Sequence, residues 1–337
     1  MNGLIQAIGT IILKHQLKDS LLIVGYGSIG HKYHQAAKSF FNKENIYIYS
    51  KHSKKKIDLN LFKNKEKLNY IILSNPATER IKFFKSFIKK KATYIFEKPL
   101  NNVALNVIDK NFLINSINKN QIKIKSGYCL RLNPAVQNFR KKISNNLNNI
   151  IDIKINTSSY LPTWRKRDYR DTVSAKKKYG GGVLNELSHE IDLVLYLFGK
   201  PKFVFGNYFN SKSLQIDVED IANIIFYMKK DLNVNMHLDF CTPFQKREIE
   251  VIFKNKRKIV LDLIKNEITE IYNNKIKKKK FLITKYFYIK KQIEKMIEIS
   301  YSKKNNKWKS ELNDSIKVLD IIKKIRESKL KNKLIKI

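Results

Sequence analysis

The chain has 337 residues, 43% of them hydrophobic and 11% aromatic, which is enough for two ordinary domains with full cores and too apolar for a disordered chain. Its 68 Lys and Arg against 29 Asp and Glu give a formal charge of +39, but with nine Arg the remainder is 68 − 9 = 59 Lys, scattered along the whole sequence. Such a spread reads as a composition-wide bias rather than a nucleic-acid interface, and two cysteines with no CxxC or Cys/His cluster exclude a disulfide framework and a zinc site.

A reduced, cytoplasmic protein with no bound metal is therefore expected. Met1 to Leu13 is apolar but lacks a basic leader and a small-residue cleavage site, and it is too short to span a bilayer. Residues 1–18 are expected to be a helical extension, with no membrane partner. His31 and His34 form the only close histidine pair and lack a third ligand.

From Ser20 the pattern changes. An apolar run, Leu21 to Val24, leads into Gly25, Tyr26, Gly27, Ser28, Ile29 and Gly30, and a helical stretch follows through Phe41. In a GxGxxG turn the first glycine allows the tight bend, the second lets a pyrophosphate approach the backbone, and the third lets helix pack on strand. The phosphate would rest on the amides that open the helix. A second strand, Ile46 to Tyr49, ends at Ser50, and 50 − 30 = 20 residues past Gly30 is where an NAD-preferring site presents Asp or Glu to the ribose. Here Ser50, Lys51, Lys54 and Lys55 stand instead, so NADP(H) is favoured over NAD(H).

The third strand, Tyr70 to Ser74, runs into Asn75 and Pro76 and a helix to Lys90; the fourth, Thr93 to Phe96, ends in Glu97, Lys98 and Pro99. A lysine at the carboxyl end of a parallel strand places an ammonium group where ligands of doubly wound sheets bind. Ile122 to Ser126 closes the series. Ile151 to Thr157 is a strand, and Ser159 to Tyr179 then carries Tyr160, Trp164, Arg165, Asp168, Tyr169 and Arg170. That cluster suits stacking on a sugar ring and pairing with an anion, and equally suits fixing the loop to its neighbours.

After three glycines, Val183 to Phe198 has the apolar period of one helix closed by Gly199. Glu186, His189 and Asp192 fall at i, i+3 steps and Asn185 sits four residues before His189, so a carboxylate-flanked imidazole becomes a candidate proton-transfer group. Alternating strands follow at Phe203 to Tyr208, Ala222 to Met228, Leu232 to Leu238, Glu248 to Phe253 and Lys258 to Asp262. Lys275 to Lys280 reads as a loop, and Tyr288 to Ser300 and Ser310 to Ser328 as helices.

The segments GYGSIG, SNPAT, EKPL, GYCLRLNP, GGGVLNELSHEID and DVEDIANIIFYM, in this order, resemble the glucose-fructose oxidoreductase, inositol dehydrogenase and MocA family across nearly the whole chain. The resemblance implies an α/β protein: a Rossmann doubly wound parallel sheet over residues 19–127, then a substrate-binding and oligomerisation domain over 128–337 with a large open, mostly antiparallel sheet. It further implies hydride transfer between NAD(P) and a sugar-like alcohol or ketone, with Lys98 and His189 as catalytic residues and Glu186 in support. Cofactor contacts are expected from Gly25 to Gly30, Ser50, Lys51, Ser74, Asn75, Pro76, Glu97 and Lys98. Substrate contacts are expected from Arg131, Tyr160, Trp164, Arg165, Tyr169, Asn185 and Asp192. A homodimer or homotetramer through the sheet is implied, and the look is that of members from bacterial surface-polysaccharide and nonulosonic-acid pathways. Two departures stand out. Glu186 and Asn185 occupy the places where relatives carry Asp before the histidine, and Cys129 replaces the Asn of the usual GYN. They keep open an inactive nucleotide-binding regulator or scaffold as the alternative, with a basic nucleic-acid-binding protein as the second.

Overall fold

The structure, a computed structural model, describes residues 17–50, 59–63, 68–89, 91–229, 231–302 and 307–337. Most of the expected N-terminal extension, and Lys51, Lys54 and Lys55, lie outside the described residues. The chain divides into two compact units. The first comprises the described residues of Met1–Asn101, Leu105–Cys129 and Lys285–Ile316; the second comprises those of Asn102–Ala104, Leu130–Thr284 and Lys317–Ile337.

The first unit alternates strand and helix: β1 (Ser20–Val24), α1 (Ser28–Ala37), β2 (Ile46–Tyr49), α2 (Leu59–Lys63), β3 (Leu68–Leu73), α3 (Ala77–Ser86), β4 (Thr93–Phe96), α4 (Val107–Asn120) and β5 (Lys123–Ser126). The strands lie in the order β2-β1-β3-β4-β5, all parallel, so the winding reverses at β1. Parallel strands covered on both faces must be apolar throughout, and all five residues of β1 are buried.

The second unit opens with α5 (Pro134–Ser144), β6 (Ile150–Ser158), α6 (Val183–Glu186) and α7 (Ser188–Phe198). Seven strands follow: β7 (Phe203–Phe209), β8 (Ile221–Tyr227), β9 (Asn233–Asp239), β10 (Lys246–Phe253), β11 (Lys258–Asp262), β12 (Glu267–Tyr272) and β13 (Lys275–Lys280). The chain ends with α8 (Phe287–Tyr301), α9 (Lys307–Lys331) and β14 (Ile335–Lys336). Nine strands form one sheet in the order β13-β12-β11-β10-β6-β9-β8-β7-β14, antiparallel throughout except for β6 beside β9. Among the described residues no helix is long and apolar enough to cross a membrane.

Three expectations are corrected. Residues 285–316 belong with the parallel sheet rather than with the second unit. Ile289, Ile293, Met296 and Ile297 of α8 join one buried cluster with Leu21, Tyr33 and Tyr70, and Lys123 of β5 donates to the carbonyls of Ile299, Ser300 and Ser302 at 2.9, 2.8 and 2.9 Å. An ammonium group at a helix C-terminus satisfies orphan carbonyls and complements the dipole. Lys275–Lys280 is a strand and not a loop: it pairs with β12, setting Lys277 opposite Glu270 and Lys280 opposite Glu267. Opposite charges across the ladder favour the pair, and a fully exposed lysine edge discourages further strand addition. Finally, the helix expected after the glycines is two helices, interrupted at Leu187 with φ −94° and ψ 25°.

Candidate functional site

The turn after β1 has the geometry a dinucleotide needs. Gly25 sits at φ +90°, and a Cβ there would lie 2.6 Å from the backbone nitrogen of Asn75, so only glycine fits. A Cβ on Gly27 would meet nothing within 4 Å, leaving the backbone open to approach. Gly27 caps α1 without a side-chain hydrogen bond, so the first-turn amides of Ser28, Ile29 and Gly30 are not covered by a capping side chain. Asn75 is 6% exposed and its Oδ1 is buried with no hydrogen-bond partner. Together these features fit a bound pyrophosphate with a donor group nearby.

Not every predicted cofactor residue faces outward in the same way. The Ser74 hydroxyl lies 2.9 Å from the Val24 carbonyl and 2.8 Å from that of Gly25, so it ties the ends of β3 and β1 together. Tyr26 is exposed, with its hydroxyl 2.7 Å from Nδ1 of His34. The His31 and His34 rings both pack on the Tyr26 ring, with centroids at 5.6 and 5.7 Å. Ser50 follows β2 directly, where the sequence places it.

Glu97 is 6% exposed and holds the Lys98 turn from inside. Its Oε1 accepts the Tyr33 hydroxyl at 2.5 Å, and its Oε2 accepts the backbone N–H of Lys98 at 3.1 Å. Burial, with the Glu97 charge beside it, pushes the Tyr33 hydroxyl well above its ordinary pKa, so it stays a donor. Gly127 backs the same turn: a Cβ there would stand 2.7 Å from both the Glu97 Cα and the Lys98 nitrogen. Tyr33 was not legible as a site residue, because its apolar spacing on α1 marks only a core position.

In the second unit the triple glycine is a close-packing device. Gly182 has φ +105°, and a Cβ would fall 2.6 Å from the Glu219 carboxyl carbon. The Val183 N–H donates to the Glu219 carbonyl at 2.9 Å, fixing where α6 starts. Asn185 is 2% exposed; its Nδ2 donates to the carbonyls of Gly180 at 2.9 Å and Asn102 at 3.2 Å, while its Oδ1 is buried with no partner. Glu186 and His189 are half-buried on either side of the Leu187 break.

Several residues expected at the substrate also have protein partners. Arg131 and Asp192 form a bidentate ion pair, Nε to Oδ2 at 2.8 Å and Nη2 to Oδ1 at 2.6 Å, with Asp192 only 1% exposed. The Arg131 guanidinium also lies 5.1 Å from the centre of the Tyr196 ring. This pair braces α7. Trp164 donates to Ser159 at 2.9 Å and meets Phe240 edge-on at 5.2 Å, and the Tyr169 hydroxyl donates to the Leu214 carbonyl at 2.9 Å, so both rings anchor the loop. Arg170 is paired with Asp168 at 2.7 Å on the surface. Tyr160 is half-buried at the start of the same loop. Arg165 differs, because its Nη1 is buried with no hydrogen-bond partner. Burial pulls its pKa down, and the nearby Glu186 charge opposes that. Glu190, which the sequence reading passed over, is 1% exposed and accepts from Nε of Arg247 at 2.6 Å.

A parallel unit with an open glycine turn and a second unit built on a large mixed sheet define the class: a two-domain α/β protein of dinucleotide-binding design. Residues 144–257 match the family model described as the GFO/IDH/MocA C-terminal domain. The family recognised from the motifs is therefore borne out. The fold is shared with levoglucosan dehydrogenase in complex with NADH and levoglucosan, at TM-score 0.76 and 14% identity over 95% of this chain and 99% of that one. GenD2 from gentamicin A biosynthesis, in complex with NAD, aligns at TM-score 0.74 and 13% identity over 96% and 98% of the two chains. WlbA dehydrogenase from Bordetella pertussis, in complex with NADH and UDP-GlcNAcA, aligns at 0.69 and 14% identity over 95% and 99%. A search of curated proteins found no match.

Proposed function

We propose that the chain is an NAD(P)-dependent oxidoreductase acting on a sugar, sugar acid or nucleotide sugar, in the biosynthesis of a cell-surface carbohydrate. The observation that carries this reading is the open Gly25–Gly30 turn with its uncapped helix, in a chain that also contains the family's C-terminal domain. Similarly folded proteins that hold NADH with levoglucosan or with UDP-GlcNAcA support the substrate class. When bound, the nicotinamide supplies the hydride donor or acceptor. In this proposal Lys98 polarises the oxygen at the reacting carbon, His189 takes or gives the hydroxyl proton, and Glu186 supports the imidazole. Arg165, with its unpartnered buried Nη1, is the residue best suited to receive an anionic or strongly accepting group of the sugar. Assembly as a dimer or tetramer through the nine-stranded sheet belongs to the same proposal.

Two measurements test it. A panel of sugars and nucleotide sugars, followed by the absorbance of the reduced cofactor, should yield turnover with at least one; complete inactivity with intact dinucleotide binding would favour the scaffold reading. Fluorescence titration should give tighter binding of NADPH than NADH, since Ser50 stands where an acidic residue would select NAD. Equal affinity would assign the lysines that follow Ser50 to composition alone.

A further inference from the structure

The carboxyl ends of β3 and β4 are joined by one side chain that no motif brought forward. Arg80, on α3, is 3% exposed. Its Nη2 donates to the Asn75 carbonyl at 2.7 Å, and its Nη1 donates to the Glu97 carbonyl at 2.6 Å and to the Pro99 carbonyl. Three main-chain carbonyls, two of them flanking Lys98, therefore share a single planar donor. A guanidinium presents its N–H groups in a fixed fork, so it sets distances between its acceptors in a way a flexible ammonium group does not. One of its acceptors belongs to Asn75, the residue whose own Oδ1 is buried without a partner and whose backbone packs against Gly25.

We propose that Arg80 is the positioning residue of the Lys98 turn: it locks the peptides on both sides of Lys98 to the end of β3, so that the ammonium group keeps a set place relative to the dinucleotide turn. The inference rests on the reading of Lys98 as the catalytic lysine, but the lock itself is a property of the first unit. Tyr33 holds the Glu97 side chain, whereas Arg80 holds the main chain, so the two supports are separable.

The test uses the full chain and two variants, Arg80→Gln and Arg80→Lys. Hydrogen exchange read by mass spectrometry should show amides in residues 97–101 exchanging about tenfold faster in Arg80→Gln, with the peptides of β1 and α1 and of the second unit changed by less than about twofold. The rate at which an N-hydroxysuccinimide ester acetylates Lys98, followed by peptide mass spectrometry, should change by about threefold or more in the same variant. Arg80→Lys keeps the charge and loses the fork, so it should fall between the two proteins; if Arg80→Gln does not fold, Arg80→Lys against the unchanged protein carries the test alone. Unchanged exchange at 97–101, or an equal rise throughout the first unit, would overturn the proposal by making Arg80 irrelevant to the turn or merely structural. Neither readout needs a substrate, so an inactive protein would break the functional reading and leave this one standing.

Discussion

The Lys98 turn and the His189 helix carry the two proposed catalytic groups, and they are held in different ways. The turn has little regular structure, so buried polar groups frame it: Tyr33 on the Glu97 carboxylate, Arg80 on the flanking carbonyls, and Gly127 packed behind. His189 stands in the first turn of a helix, where the backbone already fixes its direction, and the work lies in placing the helix. Gly182 allows the chain to pass against Glu219, and the Arg131–Asp192 pair braces α7 from the side. A loop group needs its own peptides pinned, whereas a helical group needs its whole element pinned, and the residues that matter are correspondingly near in one case and distant in the other.

The sharpest way to break this comparison is to remove the two groups themselves. His189→Ala should lower turnover by about two to four orders of magnitude, the usual contribution of a positioned acid or base, with dinucleotide affinity unchanged. Lys98→Ala should lower turnover and weaken substrate binding together, because an ammonium group acts on the ground state as well as on developing charge. Steady-state kinetics with the substrate found in the panel separates the two, and full activity in His189→Ala would end the mechanism.

Next in size is the brace. Asp192→Asn leaves the Arg131 guanidinium, 10% exposed, without its carboxylate, and breaking a buried pair on one side costs about 3–5 kcal/mol. Urea denaturation should show it; a loss under about 1 kcal/mol would mean that the pair behaves like a surface salt bridge. Gly182→Ala should cost about 1–3 kcal/mol from its backbone conformation alone, before the clash with Glu219 is added. The same denaturation assay checks it, and a neutral result would show that α6 can start elsewhere.

The smallest expected effect concerns pH. Burial raises the Glu219 carboxyl above its ordinary value of 4.5, opposed by Arg326. A raised acid in the folded state binds its proton more tightly than in the unfolded chain, so its contribution is present below the ordinary value and is lost as pH rises through the folded one. The urea midpoint of the protein, relative to Glu219→Gln, should therefore fall as pH rises above the ordinary carboxyl value of 4.5. A flat difference would mean that Arg326 cancels the burial.

Local patterns were enough where structure is local. The strand–GxGxxG–helix order, the four-residue strands Ile46–Tyr49 and Thr93–Phe96 and the end of a helix at Gly199 all follow from apolar period and glycine placement, since each depends on residues a few positions apart. Lys98 and His189 could be named as candidates because they sit at fixed places in such patterns. What the sequence left open was decided by partners far along the chain. Residues 285–316 joined the parallel sheet because α8 buries its apolar face there, and a helix's own period does not say which sheet it will cover. Lys275–Lys280 became a strand through the glutamates of β12, which outweigh its unpromising composition. Arg131, Trp164 and Tyr169 carried the residue types of a sugar site, yet each found a protein partner first, because a buried guanidinium, indole or phenol takes whichever acceptor packing brings within about 3 Å. Only the tertiary structure could make that choice, and it left Arg165 as the one member of the group with a buried nitrogen lacking a hydrogen-bond partner among the described residues.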